Sequence, residues 1–430
     1  SRGLGDVYKR QDNNRVNRRE RNSNGKMRTS NLNRLLRHTA PHRFLLLCLP
    51  FTASCSEGSG TEPCAGLPTR TVLVYLAGDN NLEEIGRTPE LLRQGWKDTG
   101  SKCLIYYDAP QAAPKLFALT IRHSDASSVL ETVEEYPEEN SSSAGVFGRV
   151  VADVVRKYPS DSYGLIFASH GSGWLPCGAL SDPTRTIGDD RTPGTTGGAR
   201  EMEITDFAAA IPDHQFDFII FEACLMSGIE VAYELRNKTD YLLASSAELL
   251  VPGYAPVYPT AFQYLFDTSL GVPQALEKFA GSYFNYIDTR NGAYRSATQS
   301  IVYTREMDAL AILAGKTTGN THGRWDDALL GKLQHFDRPG SYGDIPARPR
   351  YFDFGQYMAY LAPERQADLD ALLRKTVVWK AATPEFMAGY NGFTILTHSG
   401  LTTYIEQDEF PELNAAYKKT AWWKATHVQK

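Results

Sequence analysis

The chain has 430 residues, of which 42% are apolar and 22% charged; this excludes a wholly disordered, a collagenous or a polytopic membrane protein. At roughly 150 residues per domain, the length admits two to three ordinary domains or one large domain with extensions. The net charge of −5 joins two unlike parts: residues 1–43 hold 12 Lys+Arg against 3 Asp+Glu, and the remainder holds −14. An acidic body excludes nucleic acid as the main partner, because phosphate contacts need clustered Lys and Arg.

Residues 1–26 are Asn- and Arg-rich, and Ser1–Gln11 (SRGLGDVYKRQ) resembles translated sequencing adaptor. They read as a non-native leader, with Met27 as the native start. Residues 27–55 read as an export signal. Arg28, Arg34, Arg37 and Arg43 form a basic region ahead of the apolar run Phe44–Ala53, which is too short for a bilayer-spanning helix of about 20 residues. Thr52-Ala53-Ser54-Cys55 resembles a bacterial lipobox, with Thr where Leu is common, and makes Cys55 the candidate lipidation site. A plain secretory signal cut nearby is the alternative. The expectation is an exported lipoprotein of the periplasm or bacterial cell surface, touching membrane only through its anchor. Residues 56–69 have the Gly/Ser/Thr content of a tether. The six cysteines show no CxxC or Cys/His metal spacing, so no zinc site is expected and any disulfide partners stay open.

From residue 70 onward, strand-like runs alternate with helical patterns. The runs are Thr71–Ala77, Cys103–Tyr107, Tyr163–Ala168, Asp217–Phe221, Tyr241–Ser245, Ser300–Thr304 and Phe393–Thr397. Several are continuously apolar, as strands covered on both faces are. Val146, Val150, Val151, Val154 and Val155 form one helical stripe; Ile229, Ala232, Tyr233 and Leu235 form another. The pattern predicts an α/β fold with a mainly parallel sheet sandwiched between helices over 70–304. A smaller, mostly helical region over 305–430 completes or covers it. Pro176–Arg200, rich in Gly, Thr, Pro, Asp and Arg, is a long loop within this body.

Two strand ends carry chemistry. Ile166–Ala168 leads into Ser169-His170-Gly171-Ser172-Gly173-Trp174, and Phe218–Phe221 into Glu222-Ala223-Cys224-Leu225-Met226. Adjacent parallel strands would bring His170 and Cys224 to one sheet edge as base and nucleophile for thiol chemistry on acyl groups. The amides of Gly171 and Cys224 are then candidates for an oxyanion hole. Ser227-Gly228-Ile229-Glu230 has capping-box spacing. Taken singly, the Cys reads more readily as a small buried hydrophobe and the His as a turn residue; the pair at matching strand ends is what favours catalysis.

Strand-SHGSGW followed about 50 residues later by strand-EACLMSGIEVAYEL resembles the clostripain family of cysteine peptidases, and Tyr75–Leu82 (YLAGDNNL) resembles its first block. The resemblance implies a caspase-like fold, Cys224 as nucleophile, His170 as general base and the Gly171 and Cys224 amides as oxyanion hole. It implies a polypeptide substrate cut after Arg or Lys, with no cofactor needed for the chemistry. The family usually has Asp two residues before the Cys; here it is Glu222, a carboxylate on a longer arm, which reads alternatively as a cap on local backbone amides that never meets substrate. A second acid within a Pro-Gly-Asp-Gly stretch is replaced by Tyr254 in Pro252-Gly253-Tyr254-Ala255, where the bulky ring is a candidate either to narrow the pocket or to stack on a guanidinium. Relatives are often activated by self-cleavage in the loop between the His and Cys blocks, which makes Arg185, Arg191 and Arg200 candidates. Some relatives depend on calcium, and Asp189 and Asp190 are candidate ligands, though without EF-hand spacing. Asp79, Asn80 and Asn81 are read as shaping the loop after the first strand. Two rival functions remain: a catalytically silent surface binding protein with this fold, and an acyl-transferring ligase or amidase using the same dyad. The sequence leaves the oligomeric state open.

Overall fold

The computed structural model describes residues 69–179, 187–191, 201–318, 327–341 and 347–427. Its centre is a nine-stranded sheet. In chain order the strands are β1 (Arg70–Ala77), β2 (Lys102–Asp108), β3 (Lys115–Ile121), β4 (Ser128–Glu135), β5 (Ser162–Ala168), β6 (Phe216–Glu222), β7 (Thr239–Ala244), β8 (Thr298–Tyr303) and β9 (Val377–Ala382). Their spatial order is β9-β8-β7-β6-β5-β1-β2-β3-β4. Strands β2, β1, β5, β6 and β7 run parallel, and antiparallel strands extend the sheet at both edges.

β1 is buried over its whole length and feeds both faces. Leu73, Tyr75 and Ala77 point to one core, Val72, Val74 and Leu76 to the other, as the period of two dictates. The first core is aromatic at its centre: Phe147 stacks on Phe207 at 4.6 Å and meets Tyr75 edge-on at 5.2 Å. Helix α1 (Thr88–Gly95) and the 17-residue helix α4 (Val272–Asp288) cover the second face; α2 (Ala144–Lys157) and α3 (Ile229–Glu234) cover the first. In α2 the Ser143 hydroxyl accepts the Val146 N–H, and Val146, Phe147, Val150, Val151 and Val154 form the buried stripe.

Six of the seven expected strands are present; Phe393–Thr397 keeps only the short pair Phe393–Thr394, bonded to Glu385–Phe386. Three strands of the main sheet went unforeseen. β4 lies at the solvent edge with Glu131, Glu134 and Glu135 in it, so it lacks an apolar run. β3 alternates only loosely, and β9 lies inside the region expected to be helical. Residues beyond 305 thus supply an edge of the main sheet as well as helices. No described helix is long and apolar enough to cross a membrane.

Candidate active site

β2 pairs on one side of β1 and β5 on the other. The crevice beyond the carboxyl ends of β1 and β5 is therefore a topological switch point, where open α/β sheets bind ligands. β5 and β6 are parallel neighbours, and Ala168 pairs with Glu222 at the end of their ladder. His170 and Cys224 each stand two residues further along, on the same sheet edge.

The two turns touch. Ser169 N–H donates to the Glu222 carbonyl at 3.4 Å. A Cβ on Gly171 would sit 2.7 Å from the Cys224 carbonyl oxygen and 3.0 Å from Ala223 Cβ; a side chain there would force the turns apart. Behind Cys224 the chain turns sharply, with Leu225 at φ +62°, a conformation uncommon outside glycine and costly enough to need support. That support comes from the segment that follows β7: Leu225 N–H donates to Ala247 O at 2.9 Å and Ser227 N–H to Ser245 O at 3.0 Å. The same segment sets Leu249 N–H 3.4 Å from Cys224 Sγ, and the thiol faces Leu249 O at 3.8 Å.

His170 Nε2 donates to Asn81 Oδ1 at 2.8 Å. The neutral ring then carries its proton on Nε2, which leaves Nδ1 as its basic nitrogen. Asn81 is itself held by its neighbour: Asn80 Nδ2 donates to Ala77 O at 2.7 Å and to Asp189 O at 3.1 Å, and its Oδ1 accepts Leu82 N–H at 2.8 Å. The sequence had assigned Asn80 and Asn81 to loop shaping; Asn80 does that, and Asn81 reaches the imidazole. Its place at the end of β1, at the switch point, was the signal available. The His170 turn is also buttressed from distant chain. Tyr351 Oη donates to Ser172 O at 2.6 Å, and Trp174 is buried with its ring 5.1 Å from Tyr404 and 5.2 Å from Tyr417.

Glu222 is partly accessible, yet its carboxyl sits deep enough that burial lifts its pKa to about 7, against the lowering pull of Tyr258 and Tyr254. Oε1 accepts Tyr254 N–H at 2.7 Å and Oε2 accepts the Tyr258 hydroxyl at 2.5 Å. The expectation for Tyr254 needs correction. Its ring is fully buried, edge-on to Tyr283 at 4.9 Å and near Phe279 at 5.2 Å, and its hydroxyl donates to Gln299 at 2.7 Å. It offers no exposed face on which a guanidinium could stack; its contribution to this site is a backbone N–H. Tyr258, which the sequence did not single out, is the side chain on the Glu222 carboxyl.

The capping box is also absent. Helix α3 begins after Gly228 with no side-chain cap. Ser227 Oγ is instead shared with Ser300 and Gly400 O, and Glu230 Oε1 accepts from Thr403 and from Tyr404 N–H. Burial raises the Glu230 carboxyl to about 7 despite those bonds.

Of the loop candidates, Arg191 is described: its N–H donates to Asp79 O at 2.8 Å and its side chain is half exposed. Residues 187–191 lie against the His170 turn, with Gly188 N–H on His170 O at 3.0 Å. Arg185 and Arg200 lie outside the described residues, as do Cys55 and everything before residue 69. Asp189 faces Arg191 at 3.4 Å, and Asp190 Oδ2 accepts Ser141 N–H. Both carboxylates thus serve protein donors, and no three His, Cys, Asp or Glu among the described residues are grouped to hold a metal ion. Among the described residues, Cys103, Cys177 and Cys224 form no disulfide.

The sequence profile of the clostripain family matches residues 74–313. The chain belongs to the clostripain family. Clostripain of Hathewaya histolytica is 26% identical over 290 residues, 60% of this chain. The match spans only about half, 52%, of that relative's length. Among solved structures, the inactive zymogen of a C11 protease from Parabacteroides distasonis is 29% identical, covers 83% of this chain and 98% of its own, and superposes with a TM-score of 0.68. A secreted C11 cysteine protease from Bacteroides thetaiotaomicron, bound to an irreversible peptide inhibitor, is 25% identical, covers 84% of this chain and 99% of its own, with a TM-score of 0.70. The mainly parallel sheet flanked by helices is the caspase-like fold of these clostripain-family structures.

Proposed function

We propose that this clostripain-family chain is an exported cysteine endopeptidase acting through Cys224 and His170. The observation that carries the reading is the matched placement of the two residues, each two positions past the paired ends of β5 and β6, with their turns in backbone contact. Nδ1 of His170 takes the thiol proton, and Sγ attacks the scissile carbonyl carbon. The Gly171 and Cys224 N–H groups receive the developing oxyanion. Collapse expels the amine, which takes the proton back from the imidazolium, and leaves a thioester. Water, deprotonated by His170, then releases the acid and restores the thiol. Glu222 accepts a basic P1 side chain. Self-cleavage within 176–200, after Arg185, Arg191 or Arg200, activates the enzyme, a reading supported by the zymogen state of the Parabacteroides relative. Export is supported by the relative described as secreted; in this reading Cys55 carries the lipid anchor.

The test is a P1 peptide library with wild type and Glu222→Gln. Wild type cuts after Lys or Arg, and Glu222→Gln loses about tenfold or more of kcat/KM on basic P1 with little change on neutral P1. No turnover of any peptide by the processed chain would favour the silent binding protein.

Asn81→Ala is expected to lower kcat about tenfold, the worth of one orienting hydrogen bond, with KM nearly unchanged. Asn81→Gln, which keeps the acceptor, recovers part of it. A change in KM alone would remove Asn81 from the positioning of His170. Steady-state kinetics across pH checks this.

A further inference from the structure

We propose that Tyr258 determines specificity at this site, setting a preference for lysine over arginine at P1 through its hold on Glu222; this rests on Glu222 being the P1 acceptor. Glu222 closes the β6 ladder two residues before the nucleophile. Both its oxygens are already engaged from the protein side, Oε2 by the Tyr258 hydroxyl at 2.5 Å and Oε1 by the Tyr254 N–H at 2.7 Å. The grip is rigid. Tyr258 is fully buried, edge-on to Phe262 at 5.8 Å, and opens the turn Tyr258–Ala261. Gly253, at φ +60°, brings its backbone so close that a Cβ there would stand 2.4 Å from Glu222 Oε1. The carboxyl cannot turn to present a fresh edge.

The two basic side chains ask different things of such a group. A guanidinium binds a carboxylate best through two parallel N–H···O bonds, one to each oxygen, in one plane. With each oxygen already serving a buried donor, that fork must fit the remaining lone pairs of both at once. An ammonium is a point donor and needs one lone pair of one oxygen. The second acid that the family places near this pocket is replaced here by Tyr254, whose ring is in the core, so no other carboxylate in that stretch supplies the missing half of a fork.

The groups facing the carboxyl are Tyr254 and Tyr258, with Tyr283 behind the first and Cys103 near the second. Burial keeps the Glu222 carboxyl near 7 and the Tyr258 bond opposes that rise. Removing the hydroxyl therefore pushes the carboxyl up, and the comparison belongs at pH 8.5, where Glu222 is ionised in more of the molecules.

The experiment measures kcat/KM at pH 8.5 for matched peptides with Lys, Arg or norleucine at P1, using processed wild type, Tyr258→Phe and Glu222→Gln. Wild type is expected to prefer Lys over Arg severalfold, and Tyr258→Phe to bring the ratio near one by raising the Arg rate. An unchanged ratio in Tyr258→Phe, or a wild type that prefers Arg, overturns the proposal. Retained preference of Glu222→Gln for basic over norleucine overturns the underlying P1 assignment instead. If Tyr258→Phe fails to fold, wild type alone decides: butylamine should inhibit more strongly than butylguanidine, and the reverse order contradicts the role of Tyr258.

Discussion

Cys224→Ala loses peptide hydrolysis by about 10³-fold or more in kcat/KM, and His170→Ala falls by a comparable factor. The argument is one of unit action. Sγ forms the covalent bond, the imidazole moves the proton, and neither substitutes for the other. The double variant should be scarcely worse than either single one, because residues acting as a unit are non-additive. The described residues offer two other thiols. Cys103 is fully buried in β2, where burial pushes its pKa well up, and Cys177 lies at the start of the 176–200 loop. Neither stands at the end of β6, so neither rescues the reaction. The same variant should stay whole where wild type splits within 176–200; splitting in both would assign the cut to a foreign protease. Initial rates and intact mass of purified wild type and variants check both parts.

Asp108→Asn is expected to flatten the loss of stability between about pH 4 and pH 8. Asp108 ends β2 with 0% exposure, and neither carboxylate oxygen has a hydrogen-bond partner of good geometry among the described residues. Burial, opposed by Ser141 and reinforced by Asp190 and Glu138, raises its pKa from the ordinary carboxylate range to about 8. In the unfolded chain the group ionises near 4. A raised folded pKa means the folded form prefers the proton. The contribution to stability is whole below about pH 4 and is lost as pH rises towards 8. Four pKa units correspond to on the order of 5 kcal/mol, which rivals the whole stability of many domains. Asn keeps the shape and cannot ionise, so at pH 8.5 the variant should be the more stable protein. Urea titrations at pH 5 and pH 8.5 measure this; equal slopes with pH in both proteins would show that Asp108 is not the group responsible.

The placement of His170 and Cys224 at neighbouring strand ends was legible in sequence because it sits on the strongest local signal. β5 and β6 are continuous apolar runs, buried on both faces, and each ends in an abrupt polar turn. What was illegible depends on partners far along the chain. The Ser227–Glu230 spacing looked like a cap, but Glu230 is taken by Thr403 and Tyr404 more than 170 residues away. Tyr254 looked like a pocket wall because its neighbours matched a family block; only the packing of α4 shows its ring turned into the core. Asn81 reaches across 89 positions to His170, and Tyr258 reaches back 36 to Glu222. Strand β4 hides because an edge exposed to water has no need of apolar side chains.

The central claim is tested most directly by labelling the processed wild-type chain with a peptidyl-lysine chloromethyl ketone and mapping the adduct by mass spectrometry. One adduct per chain on Cys224, lost in His170→Ala at equal reagent and time, is the predicted result. An adduct on Cys177 or Cys103, or labelling of Cys224 as fast without His170 as with it, would contradict a Cys224–His170 mechanism.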